Sequence, residues 1–156
     1  MPEQFSLIDQ AERQCLARGA RFTPIRRRVL ELIAASHGAL KAYDLLDQLA
    51  KEHGAARPPT IYRALDFLIA QGLVHRIESL NAYLACHCPE HQHGFQLLIC
   101  RGCGRVEEMH DDDLGSRLAA SASAHGFTIE RQTVELEGRC GECIAQGLTS
   151  VESSAH

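Results

Sequence analysis

The sequence predicts an α+β chain in two parts, a run of helices closed by a short hairpin and then a small α/β domain. Three observations carry this: apolar residues at helical spacing through residue 72, strand-like alternation over 73–77 and 82–85, and two Cys-x-x-Cys pairs, Cys100–Cys103 and Cys140–Cys143, set 36 residues apart. The 156 residues are 45% hydrophobic and 5% aromatic, with no stretch apolar enough to cross a bilayer. With no apolar signal segment at the start, a cytoplasmic protein without a membrane partner is expected. The net charge of −4 is unevenly spread: up to Leu84 there are 11 basic and 9 acidic residues, and from Ala85 onward 5 and 11. An acidic total therefore does not exclude nucleic-acid binding by the first part.

Ser6 is expected to cap a first helix reaching Arg18, with Leu7, Ala11, Cys15 and Leu16 on its apolar side and Gly19 at its stop. Thr23-Pro24 then opens a second helix as cap and first helical residue. Its stripe is Ile25, Val29, Leu32 and Ile33, which turns Arg26, Arg27 and Arg28 outward. A third helix runs from Ala42 to Ala50 and ends near Gly54, with Leu45, Leu46 and Leu49 inward. The fourth, opened by Arg57-Pro58-Pro59 and closed by Gly72, buries Ile61, Leu65, Leu68 and Ile69 and presents Thr60, Tyr62 and Arg63 near its N-terminal end. DNA-reading helices carry their contacts there. A hairpin turning at Ser79 and Asn81 supplies two strands of a wing. The expectation is a winged-helix DNA-binding domain over residues 1–84, against the plainer alternative of a helical packing domain.

Residues 85–150 form the expected second domain, with 151–156 as a flexible tail. Cys86, His87, Cys88, His91 and His93 crowd eight positions before a strand at 95–99; a second strand covers 106–109. Asp111, Asp112 and Asp113 favour a helix start, that helix runs to His125, and a strand is expected over 127–137. The two cysteine pairs have the gap that lets both sulfurs grip one ion, so a tetrathiolate zinc site is expected, with Gly102 and Gly104 at positive φ in the knuckle. A redox dithiol or disulfide is the competing reading; it would suit an oxidising compartment or a βαβ pattern, and the sequence shows no such pattern.

Arg21-Phe-Thr-Pro-Ile-Arg26, Pro58-Pro-Thr-Ile-Tyr-Arg-Ala-Leu65, Cys86-His87 and the two thiolate pairs together resemble the ferric uptake regulator family of bacterial metal sensors, over nearly the whole chain. Ala42-Tyr-Asp-Leu-Leu46 and Pro59 to Leu68 are similar to its zinc-uptake branch. The resemblance implies a homodimeric repressor that binds palindromic double-stranded operator DNA when zinc-loaded and shuts off zinc-uptake genes. It implies no enzyme activity and no small-molecule substrate. It also implies one structural zinc and at least one regulatory zinc per protomer.

The family pattern for the regulatory ion falls on His75, Cys86, His93 and Glu108. Two imidazoles, a thiolate and a carboxylate make a closed tetrahedral set drawn from wing, linker and second domain. Cys88, His91 and Glu107 are alternatives, since only one carboxylate of the 106–109 strand can face the ion; Glu107, His91 and His125 could serve a further site. Gln132 stands where iron-sensing relatives carry a histidine, which argues against that site and against iron. For DNA, Arg63 is expected on a guanine edge, Tyr43 and Tyr62 on sugar or a thymine methyl, and Arg26, Arg27, Arg28 and Arg57 on phosphates, with Thr60 in the same turn as the reading residues. Alternatives are a sensor of iron, nickel or peroxide and, more remotely, a zinc hydrolase or deaminase.

Overall fold

The computed structural model describes residues 2–36, 38–53, 57–86, 95–130 and 132–147. The expectations for Cys88, His91, His93 and the 151–156 tail lie outside those residues. The chain divides into two compact units, Met1–Pro89 and Glu90–His156.

In the first unit, helices α1 (Pro2–Ala17), α2 (Pro24–Ala35), α3 (Ala42–His53) and α4 (Pro58–Ala70) precede strands β2 (Val74–Ile77) and β3 (Ala82–Ala85), while a two-residue strand β1 (Leu40–Lys41) leads into α3. The sheet has order β1-β3-β2 and is antiparallel throughout, with His75 opposite Leu84 and Leu40 opposite Tyr83. The wing is thus three strands rather than the expected two. Ala42 N–H donates to Asn81 O (3.1 Å), tying the start of α3 to the wing turn.

Helix α1 begins at Pro2, four residues before the expected cap at Ser6; proline at the first helical position lacks only an N–H that would have no intrahelical partner. Leu7, Ala11 and Cys15 are buried as expected, but Leu16 is 80% exposed and Ile8 takes the inward place. Thr23 caps α2, its hydroxyl accepting the Arg26 N–H at 3.5 Å. The core joins Val29, Leu30 and Ile33 of α2, Leu45 and Leu49 of α3, and Ile61, Leu65 and Leu68 of α4, all essentially inaccessible. Each such Leu or Ile contributes roughly 1.5–3 kcal/mol relative to exposure. Gly72, at φ +73, closes α4, and Leu73 N–H reaches back to Leu68 O (2.9 Å), which sends the chain directly into β2.

In the second unit, β4 (Phe95–Cys100) pairs antiparallel with β5 (Val106–Met109) and parallel with β6 (Thr133–Gly138), with α5 (Asp112–Ala124) between β5 and β6 and a short helix α6 (Gly141–Ala145) at the end. The parallel β4–β6 pair with its helical crossover corrects the expectation that no βαβ-like pattern is present. Strand β6 starts at Thr133, six residues later than expected. The Asp111 carboxylate accepts Leu114 N–H (3.0 Å), the Asp111 N–H donates to the amide oxygen of fully buried Gln96 (3.0 Å), and Asp112 and Asp113 sit in the first turn of α5.

Candidate metal centre and nucleic-acid interface

The β4–β5 turn carries Cys100 and Cys103, and the β6–α6 junction carries Cys140 and Cys143. The parallel register, Cys100 beside Gly138, sets the two turns side by side. Cys100 N–H donates to Arg105 O (2.8 Å) and Arg101 N–H to Gly138 O (2.8 Å), so backbone bonds fix both the turn and its approach to β6. The four Sγ atoms lie within 4.8 Å of one another; Cys100 to Cys143 is 3.7 Å and Cys103 to Cys140 is 3.8 Å. Four sulfurs about 2.3 Å from one tetrahedral zinc stand about 3.8 Å apart. A disulfide needs about 2.05 Å. The residues therefore fit a closed tetrathiolate zinc site and no disulfide.

The electrostatics point the same way. Backbone N–H groups, that of Cys140 first (3.2 Å) and then that of Cys103, hold the Cys100 thiol down to about 6. Cys143 is pushed up to about 12, first by the Cys140 sulfur and then by burial. Four adjacent sulfurs cannot all be thiolates without a cation among them, and a divalent ion removes that conflict.

Gly104 has the expected positive φ of +76, but Gly102 does not. A Cβ on Gly102 would stand 2.8 Å from Cys143 Sγ, so glycine is required there for close approach. Spacing along the sequence could not show this, because Cys143 is 41 residues away.

Of the residues expected to bind a regulatory ion, His75 is half-buried on β2 and Cys86 is buried just past β3, where its N–H donates to Leu73 O (2.9 Å). Their ligand atoms lie within 4.8 Å of each other in the first unit. In the second unit Glu108 is on β5 opposite Leu97 and 3.5 Å from His110 Nε2, while exposed Glu107 turns toward Arg105 (3.7 Å). His125 caps the C-terminus of α5.

On α4, the buried Ile61, Ala64 and Leu65 alternate with exposed Tyr62 and Arg63, and Thr60 is exposed in the first turn. Arg57 occupies the N-cap without a side-chain cap bond. Tyr43, 79% exposed, stands in the first turn of α3. The arginine triplet is occupied by internal partners. Arg28 grips Glu52 (2.7 Å) and Glu31 (3.1 Å), which raises its pKa, the Glu52 bond most. Arg27 pairs with Glu31 (3.2 Å) and Glu12 (3.4 Å). Arg26 bonds to Arg21 O and lies over the Phe67 ring, 3.8 Å from its centroid. Runs of basic residues are legible in a sequence; the carboxylates that engage them, here 24 positions away for Arg28 and Glu52, are not.

The zinc uptake regulation protein of Escherichia coli (strain K12) is 41% identical over 139 residues, 88% of this chain and 81% of the relative. That of Mycobacterium tuberculosis (strain ATCC 25618 / H37Rv) is 30% identical over 130 residues, 81% and 97%. The crystal structure of holo XcZur superposes with a TM-score of 0.83 at 48% identity, covering 90% of this chain and 98% of that one. A zinc uptake regulator complexed with zinc and DNA superposes at 0.88 and 39% identity, covering 94% and 98%. The profile of the ferric uptake regulator family matches residues 17–137, a span that holds the exposed α4 and the Cys100–Cys103 turn, and the chain belongs to this family.

Proposed function

We propose that the protein is a zinc-responsive transcriptional repressor, not an enzyme, which binds operator DNA as a zinc-loaded homodimer and represses genes of zinc acquisition. The observation that carries the DNA side is α4: its inner face is anchored in the core, while Thr60, Tyr62 and Arg63 stand exposed at the end that enters a major groove. The relatives named as zinc uptake regulators, one of them in complex with zinc and DNA, support the same reading. Arg63 reads a guanine edge through its two acceptors, Tyr43 and Tyr62 pack on sugar or a thymine methyl, and Arg57 meets phosphate.

Each protomer holds one structural zinc in the four thiolates and a second, exchangeable ion on His75, Cys86, His93 and Glu108. The proximity of His75 and Cys86 supports this set. A four-thiolate site is too tight to sense; a mixed set with fewer sulfurs exchanges more readily and selects zinc over harder ions through Cys86. A two-fold dimer must present its α4 helices one DNA turn apart, or a multiple of it, so an ion that favours that arrangement raises affinity. A coupling of about 1–3 kcal/mol raises it about 5–150-fold, and by reciprocity DNA tightens the ion.

Titrating DNA binding against buffered free zinc tests this. Cys86→Ser and His93→Ala are expected to remain folded dimers whose DNA affinity no longer follows zinc. An unchanged response in both rejects the regulatory set, and wild-type binding that ignores zinc rejects the function.

A further inference from the structure

A zinc ion with four thiolates carries two net negative charges, and its two cysteine pairs come from turns far apart in sequence. Something must hold the turns together and balance that charge. Arg105 is placed for both. It follows Cys103 by two residues, and its carbonyl accepts the N–H of Cys100 (2.8 Å), so its backbone belongs to the first knuckle. Its guanidinium reaches the other knuckle: Nη2 lies 2.9 Å from Glu142 Oε2, and Glu142 sits between Cys140 and Cys143. Nη1 lies 3.7 Å from Glu107 Oε1. Arg101, inside the first pair, makes a parallel but longer link to Glu137 at the end of β6 (3.6 Å).

We propose that Arg105 is a positioning residue of the tetrathiolate centre, a clasp that closes on Glu142 only when the two turns are docked and so slows the escape of the metal. This rests on the reading of the four cysteines as a zinc site. When one turn swings away from the other and carries its sulfurs off the ion, that swing must open the Arg105–Glu142 link. The planar fork of arginine lets one guanidinium hold Glu107 and Glu142 at once; lysine offers a point charge. The link is partly solvated, which limits its effect, while its position beside a dianionic centre adds to it.

The test follows zinc transfer from the purified holoprotein to a colorimetric chelator, in the phase that uncovers four thiols per ion, with circular dichroism to verify folding. Arg105→Ala is expected to speed this phase about three- to tenfold, and Arg105→Lys to give an intermediate rate. The exchanged pair Arg105→Glu with Glu142→Arg is expected to release zinc more slowly than Arg105→Glu alone, because only the pair can re-form the link. Added salt accelerates release from the wild type more than from Arg105→Ala, in which only the Arg101–Glu137 link remains to be screened, a difference that lost packing alone would not produce. Equal rates in wild type and Arg105→Ala, or a salt response undiminished by the substitution, overturn the clasp while leaving the zinc site intact. A wild-type protein that carries no zinc overturns the site and the clasp together.

Discussion

A side chain at position 102 has nowhere to go, because its first carbon would meet the Cys143 sulfur at 2.8 Å and Cys143 Cβ at 3.2 Å. Gly102→Ala is therefore expected to force the two turns apart and lower zinc occupancy, measured as metal per chain after dialysis against a chelator. Gly104→Ala provides the contrast: nothing lies within 4 Å of its added carbon, so it costs only the strain of φ +76, about 1 kcal/mol, and leaves the metal in place. Equal zinc loss in both would mean that the approach to Cys143 is not the constraint. The four cysteines and the positive φ of Gly104 were legible in the sequence because ligand spacing and knuckle geometry are local. The reason for Gly102 was not, since it depends on the parallel β4–β6 register bringing residue 143 alongside. Arg63, by contrast, was legible, because its exposure opposite Ile61 and Leu65 follows from helical period alone. Arg63→Ala is expected to cost about 1–3 kcal/mol at the operator and much less on random duplex, read by competition binding. Equal losses on both would make it a phosphate contact.

Single elements show where periodicity suffices as a guide and where it fails. Helices α2, α3 and α4 were legible because each repeats its apolar residues every three or four positions over at least 12 residues. Strand β1 was not, since its two residues contain no period; it exists because β3 offers a free edge at Ala82 and Tyr83. For the arginine triplet, helical spacing correctly turned the side chains away from the core but said nothing of partners. Arg28 lies between Glu31 and Glu52 and joins α2 to α3, so its charge is already balanced within the fold. Arg57 has no such partner among the described residues. In the salt dependence of binding to random-sequence DNA, Arg57→Ala is therefore expected to reduce the log–log slope by about 1, and Arg28→Ala to leave it nearly unchanged. Arg28→Ala should instead lower the urea midpoint of the first unit. A slope change for Arg28→Ala equal to that of Arg57→Ala would show that Arg28 exchanges its carboxylates for phosphate.

At the scale of the whole molecule the two units differ in how well each buries its own apolar surface. The first has a continuous core shared by α1, α2, α3, α4, β1, β2 and β3. In the second, α5 has no buried residue, and Leu98, Leu118, Phe127, Leu136 and Ile144 are exposed, an arrangement that water alone does not favour. Those side chains suit a second copy of the chain, and the unit that presents them is held at one end by the four sulfurs. With so small a core, the ion's binding energy is folding energy for this unit, and removing one ligand destabilises the surface as well as the site. Cys143→Ser, whose buried sulfur faces Cys100 at 3.7 Å, is accordingly expected to shift the proposed dimer toward monomer or unfold the second unit. The first unit should keep its helical signal, because none of its core residues belongs to the metal-bearing turns. Sedimentation equilibrium with and without a strong chelator, paired with far-ultraviolet circular dichroism, measures both. A Cys143→Ser protein that stays dimeric with the wild-type melting temperature would show that zinc is not what holds the dimer-forming surface in shape.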